Sequence, residues 1–414
     1  MKANATHSML WTERLRRTIP WGSSTCSKAP RFLPEEPGVI VRGEGCRVWD
    51  ADGREYIDFR NSLGPITLGY RFPAVDAAIR EQLDRGIVFG HPHPLECEVA
   101  EAVCEIIPCA EQARFLKTGG EAIAACIRIA RAYTGRDHIL QIGYNGWLNT
   151  LGTGSRTPTG QAAENVPLGV PRALSALHHI CAWNDLPAIE RVFAELPGQV
   201  AAVVVASDYA NIAAGEVFYP ALRALTTANG SLLIFDEIVT GFRIALGGAQ
   251  EYFQTVPDLA VFSKGIANGM PLSVYVGRRE VMSVLDRGAV VSSTFAGEAL
   301  SLAAAKAAIQ TYRTQDVIGH LWRQGEKMWG GLNRLLEENG IPACLKGFWP
   351  CPQIVFDGHE AGRWREAFFR AAYRNGVSLY DVSYVNFSHR DADLEEALER
   401  LERACREVRQ EATT

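Results

Sequence analysis

A chain of 414 residues, 47% hydrophobic and 21% charged, carries enough apolar material for one large or two medium globular domains and has the composition of a soluble protein. Its net charge of −5 gives no basic footprint for nucleic acid, and no apolar run approaches the length that spans a bilayer. The ten cysteines form no Cys-x-x-Cys pair and mostly sit in apolar context, as in Ala124-Ala125-Cys126-Ile127, which points to reduced core thiols in a cytoplasmic protein and to no metal site or disulfide.

Residues 1–20 read as a short amphipathic helix, capped at Ser8 and stopped at Pro20, without the continuous apolar core of an export signal. Short strands at 39–42, 47–49 and 56–58 surround the turn Asp50-Ala51-Asp52-Gly53. From about residue 70 to 305, helical patterns alternate with short apolar runs, among them 138–142, 200–205, 232–235, 259–262 and 272–276. That alternation predicts an α/β domain, a doubly wound and mostly parallel sheet with helices on both faces. Residues 152–169, rich in Gly, Ser, Thr and Pro and without periodicity, are a candidate active-site lid. The last hundred residues mix helices and strands and close with a helix from about Asp393, whose Leu394, Leu398, Leu401, Cys405 and Val408 keep helical spacing. The expected organisation is a large domain over 70–305 and a small α+β domain built from both chain ends, 1–69 and 306–414.

Two of the apolar runs end on charged groups. Ser231-Leu232-Leu233-Ile234-Phe235 leads into Asp236-Glu237, and Leu259-Ala260-Val261-Phe262-Ser263 leads into Lys264. Strands buried in a parallel sheet deliver such groups to its carboxyl edge, where open α/β sheets bind ligands. An ion pair between buried strands is the plain alternative. An amine and an acid held there also suit pyridoxal phosphate: the amine forms a Schiff base with the cofactor aldehyde, and the carboxylate keeps the pyridine nitrogen protonated. Upstream, Lys117-Thr118-Gly119-Gly120-Glu121-Ala122 opens a helix, and two glycines at a helix start offer backbone N–H groups to a phosphate.

These segments, in order, resemble the class III pyridoxal-phosphate aminotransferases. The matches are Thr118-Gly119-Gly120-Glu121-Ala122 followed by residues 128–136, Gly143-Tyr144-Asn145-Gly146-Trp147, Asp236-Glu237-Ile238-Val239-Thr240-Gly241-Phe242-Arg243, residues 263–271 around Lys264, and Ser293-Thr294-Phe295-Ala296-Gly297. Their order and spacing are most similar to the branch containing glutamate-1-semialdehyde aminomutase. The resemblance implies the fold-type I architecture and a homodimer with shared active sites. It implies that Lys264 carries the Schiff base and moves the proton, and that Asp236 pairs with the pyridinium nitrogen. Tyr144 and Ile238 would flank the ring. Thr118, Gly119, Gly120 and Asn145 would complete the cofactor shell, with Thr294 reaching the phosphate of the neighbouring subunit. Asn61, Ser62, His91 and His93 are candidate substrate contacts, and no metal is expected.

The chain also departs from that pattern. The family's Ser-Gly-Thr is Thr118-Gly119-Gly120, its Tyr-His-Gly is Tyr144-Asn145-Gly146, its Glu-Pro after the central strand is Ala206-Ser207, and its Gly-Asn-Pro is Gly297-Glu298-Ala299. The aminomutase arginine that binds a substrate carboxylate has no clear counterpart in residues 21–28, leaving Lys28, Arg31 or Arg60 as replacements. The reading is therefore an aminotransferase moving an amino group from a donor to an aldehyde or ketone, with an oxidised sugar or other natural-product intermediate fitting the lost carboxylate groups. An aminomutase or epimerase is the alternative within the same chemistry, and a non-catalytic cofactor-binding protein the alternative outside it.

Overall fold

The computed structural model describes residues 6–148 and 169–413, so the candidate lid at 152–169 lies, except for Gly169, outside the described residues. The chain divides into two compact units, Met1–Phe72 with Gly319–Thr414, and Pro73–Ile318. The second division falls after residue 318 and not after 305. Residues 299–314 form one unbroken helix, Ala299–Thr314, which packs on the helices Pro73–Leu83 and Pro94–Ile106 and so stays with the larger unit.

The larger unit is built on a seven-stranded sheet. Its order is Gln112–Leu116, Ser273–Gly277, Leu259–Phe262, Leu232–Asp236, Val200–Ala206, His138–Ile142 and His178–Cys181. Ser273–Gly277 runs antiparallel to both neighbours, and every other pairing in the sheet is parallel. The central strands are buried along their whole length, which is why they read as unbroken apolar runs. Helix Gly119–Thr134 covers one face: its Ile123, Cys126, Ile127 and Ala130 pack with Leu232, Ile234, Leu259 and Val261. Phe235, pointing the other way, meets Tyr219 of helix Gly215–Ala228 at a ring separation of 4.9 Å. The period of two thus sets Leu232, Ile234 and Asp236 on the face that helix Gly119–Thr134 covers.

The smaller unit holds a sheet ordered Ile40–Glu44, Arg47–Asp50, Glu55–Asp58 and Val377–Ser378, with the last pair parallel, and a hairpin of Ala343–Lys346 with Gln353–Phe356. Its core is aromatic: Trp329 meets Phe59 edge-on at 5.1 Å, and Phe59 stacks on His389 at 4.5 Å. The first helix runs His7–Thr18 and is capped by Thr6, not Ser8, because the Ser8 amide is turned toward the Asp52 carboxylate while the Thr6 hydroxyl accepts from Met9 N. The terminal helix is Asp391–Thr413. Among the described residues no helix is long and apolar enough to cross a membrane.

Candidate active site

The site begins with the strand Leu232–Asp236. Asp236 is buried, 9% exposed; its Oδ1 accepts from Ile238 N at 3.0 Å, and Asn145 Nδ2 lies 3.5 Å from Oδ2. Burial pushes the carboxyl up to about 6, while the Ile238 amide, the Lys264 charge and Asn145 pull the other way. Lys264 is therefore close enough for its charge to act on Asp236. It follows Ser263, whose hydroxyl ties back to Leu272 O at 2.7 Å, and its backbone sits at φ 49°, a left-handed conformation unusual for a lysine. Cys126 lies beneath this face, its thiol raised by burial and by the Asp236 charge.

Glu237, one residue on, is turned into a different pocket. Its carboxylate accepts from Ala249 N at 2.7 Å, from Gln250 N at 3.0 Å and from the Thr240 hydroxyl, and burial pushes it up to about 7. Gly248 at φ 74° leaves room for it: a Cβ there would lie 2.2 Å from Oε2. Of the two adjacent carboxylates, only Asp236 faces Asn145 and Lys264.

Opposite Ile238 stands the start of helix Gly119–Thr134. Thr118 is its N-cap, with the Thr118 hydroxyl accepting from Glu121 N at 3.4 Å and Glu121 Oε2 accepting from Thr118 N at 2.8 Å. The N–H groups of Gly119 and Gly120, as the first two helical residues, have no acceptor within the helix. A Cβ on Gly119 would fall 2.3 Å from Ile238 Cδ1, so only glycine lets that side chain lie over the helix start. The Thr118 hydroxyl, expected in the cofactor shell, is engaged in the cap. Tyr144 is exposed, Asn145 is fully buried, and Thr294 is exposed in the turn 293–298.

The candidate substrate contacts are placed differently. Asn61 is fully buried in the smaller unit, its Nδ2 donating to Tyr384 O at 2.8 Å and its Oδ1 accepting from Asn386 at 2.7 Å. Ser62, at φ 54°, lines a cavity of about 370 Å³ with Lys28, Arg60 and Tyr70. His91 is exposed, and His93 caps helix Pro94–Ile106: its Nδ1 accepts from Leu95 N at 3.2 Å and its ring stacks on Phe89. A tie not foreseen from the sequence joins Lys117 to Glu298, with Nζ and Oε1 2.8 Å apart.

The residues present fit pyridoxal phosphate. A buried carboxylate lies within the field of a lysine amine, and a helix start with two glycine N–H groups stands beside them, the missing Cβ of Gly119 letting Ile238 pack against it. These parts suit a protonated pyridine nitrogen, an aldehyde carbon and a phosphate.

The family model of aminotransferase class III matches residues 33–405. A curated relative, the glutamate-1-semialdehyde 2,1-aminomutase of Aquifex aeolicus (strain VF5), is 32% identical over 422 residues, covering 96% of this chain and 99% of its own. Among solved structures, the internal aldimine form of the FumI protein of Sphingopyxis sp. MTA144 superimposes with a TM-score of 0.90 at 26% identity, covering 99% of this chain and 98% of its own. An omega-transaminase from Sphaerobacter thermophilus gives 0.88 at 26% identity, with 98% of both chains covered. With a buried acid, an amine and a glycine cradle assembled on the sheet that these relatives share, the chain belongs to the class III aminotransferases, enzymes that work with pyridoxal 5'-phosphate.

Proposed function

We propose that this enzyme is an intermolecular aminotransferase whose acceptor is a neutral aldehyde or ketone, an oxidised sugar or similar hydroxyl-bearing carbonyl compound being the class that fits. Bound in the site, pyridoxal phosphate supplies an electron sink for the carbanion left when a proton leaves the amino-bearing carbon. The Lys264 amine would hold the cofactor aldehyde and serve as the base that takes the proton from the amino-bearing carbon of the substrate. Asp236, ionised near neutral pH, holds the ring nitrogen's proton in place. Gly119 and Gly120 would hold the phosphate through their N–H groups, and Ile238 and Tyr144 would flank the ring. Asn145 steadies the Asp236 carboxylate.

The observation that carries the acceptor class is the state of two arginines. Arg31 pairs with Asp381 at 3.1 Å and donates to Tyr380 Oη at 2.8 Å, and Arg60 pairs with Glu36 at 2.6 Å. Both guanidinium groups that would replace a substrate-carboxylate clamp are already occupied by side chains of their own unit. At the carboxyl edge of the sheet, Ala206 stands in register beside Asp236 and brings no charge. The aminomutase reading draws on the Aquifex relative's identity over nearly the whole chain. Kinetics separate the two. Amino donors screened by the cofactor's spectral change should yield a stoichiometric keto acid, whereas a specificity constant for glutamate-1-semialdehyde of roughly 10⁴ M⁻¹s⁻¹ or more would establish the aminomutase.

The active form in this reading is a homodimer, with Thr294 reaching the neighbour's phosphate. Exposed Ile87, Val88, Phe89 and Phe295 support it as an apolar surface, and Ala299 N donates to Ile87 O at 2.7 Å, holding these two segments side by side.

A further inference from the structure

Three segments of the larger unit, carrying Lys117, Pro271 and Glu298, are joined by one polar cluster. Lys117, the residue before the Thr118 cap, points its Nζ at Glu298 Oε1, 2.8 Å away, and at Pro271 O, 3.1 Å away. Pro271 belongs to the loop that leaves Lys264, and its carbonyl also accepts from Ser301 Oγ at 3.1 Å. Glu298 closes the turn that carries Thr294 and caps helix Ala299–Thr314, accepting from Leu300 N at 2.8 Å and Ser301 N at 3.0 Å. From the other side, Ser273 Oγ donates to Thr118 O at 2.8 Å. The Lys117 and Glu298 side chains are only 16% and 10% exposed. Burial raises the Glu298 carboxyl, and the bonds from Lys117 and Ser301 outweigh that and hold it below the ordinary range. A largely buried ammonium and carboxylate with these partners have one low-energy arrangement, so they fix distances where a water-exposed pair would not.

We infer that Lys117 and Glu298 are a positioning pair that sets the glycine cradle at Gly119–Gly120 in register with the Lys264 loop and the Ser293–Gly297 turn, and so fixes where a bound phosphate sits relative to the lysine amine. The inference rests on the pyridoxal-phosphate reading of the site. Neither residue touches the cofactor; both act through the backbone that does. Their pairing also accounts for the departure at Gly297-Glu298-Ala299: the glutamate is the counter-ion of a lysine two residues ahead of the cradle.

The test measures binding to the cofactor-free full-length protein by fluorescence, with pyridoxal phosphate, pyridoxal without phosphate and inorganic phosphate as probes. Lys117→Met and Glu298→Gln each remove the ion pair, the latter keeping an acceptor for the helix cap. Each should weaken pyridoxal phosphate and inorganic phosphate about tenfold while leaving pyridoxal unchanged, and the double variant should be no worse than either single one. Lys117→Arg, which keeps the charge, should recover most of the affinity. Unchanged phosphate affinity, equal losses for pyridoxal and its phosphate, or additive effects would each overturn the inference. Wild-type protein that fails to bind pyridoxal phosphate, or is not labelled at Lys264 on borohydride reduction, would instead refute the reading of the site itself.

Discussion

Replacing Asp236 with asparagine should make the cofactor-free protein more stable and the enzyme nearly inert. The carboxyl is buried, and moving it from 3.8 to about 6 corresponds to about 3 kcal/mol at 1.36 kcal/mol per tenfold change. The sign follows from linkage. An acid whose folded value lies above its unfolded one costs nothing while both states are protonated, below about pH 4. The cost grows as pH rises through that interval and is complete above about 6. Asparagine keeps an acceptor for Ile238 N, and a flip of the Asn145 amide restores a donor–acceptor match at the other oxygen. Urea unfolding of cofactor-free wild type and Asp236→Asn should therefore show the variant ahead by up to roughly 3 kcal/mol at pH 8, converging near pH 4. With cofactor and donor, the same variant should lose several orders of magnitude in rate, because a neutral amide cannot hold the ring nitrogen's proton. A variant less stable than wild type at pH 8, or a difference that ignores pH, would refute the account of this carboxylate as an ionised group held at a folding cost for its chemistry.

Lys264→Ala should abolish turnover, and peptide mapping after borohydride treatment should find the wild-type label on Lys264 alone. Gly119→Ala should weaken cofactor binding by about 1–2 kcal/mol, since its Cβ meets Ile238 Cδ1; adding Ile238→Ala should recover part of that loss, which titration of the cofactor-free protein would read directly. Mixing Lys264→Ala with a severely impaired Thr294 variant should restore partial activity if Thr294 serves the neighbouring subunit, because one site in each mixed dimer then carries neither lesion. Trp329→Ala, which empties the space against Phe59, should cost about 3–5 kcal/mol in denaturant unfolding.

The two strands that end at Asp236 and Lys264 were legible because burial on both faces leaves only apolar residues, and a charge at their ends then stands out. Two strands toward the sheet's margins were not. Gln112–Leu116 and His178–Cys181 are half-exposed and carry Gln112, Arg114, His178 and His179, so neither reads as an apolar run. His93 was a candidate substrate contact because its segment resembles one that relatives place near the site; no cap was expected from it, since histidine is not among the usual helix caps, yet its ring nitrogen caps as an Asn oxygen would. Asn61 looked like a loop polar group, and only the tertiary fold supplies the Tyr384 carbonyl and Asn386 amide that enclose it. The Lys117–Glu298 tie joins residues that no local pattern connects. What the sequence reveals is what periodicity and end-of-strand charge encode; partners brought from far along the chain stay invisible until the sheet is closed.

The antiparallel strand Ser273–Gly277 has a consequence for how the site comes into being. It pairs on one side with Leu259–Phe262, its near neighbour in the chain, so the loop bearing Lys264 is closed by a local reversal with a small loop-closure cost. On the other side it pairs with Gln112–Leu116, from the far end of the unit, and the glycine cradle begins just beyond that strand. The amine is thus anchored by a short-range element and the phosphate cradle by a long-range one. Fraying of the outer Gln112–Leu116 strand would therefore loosen the Gly119–Gly120 helix start while the Lys264 loop stays held by its pairing with Leu259–Phe262.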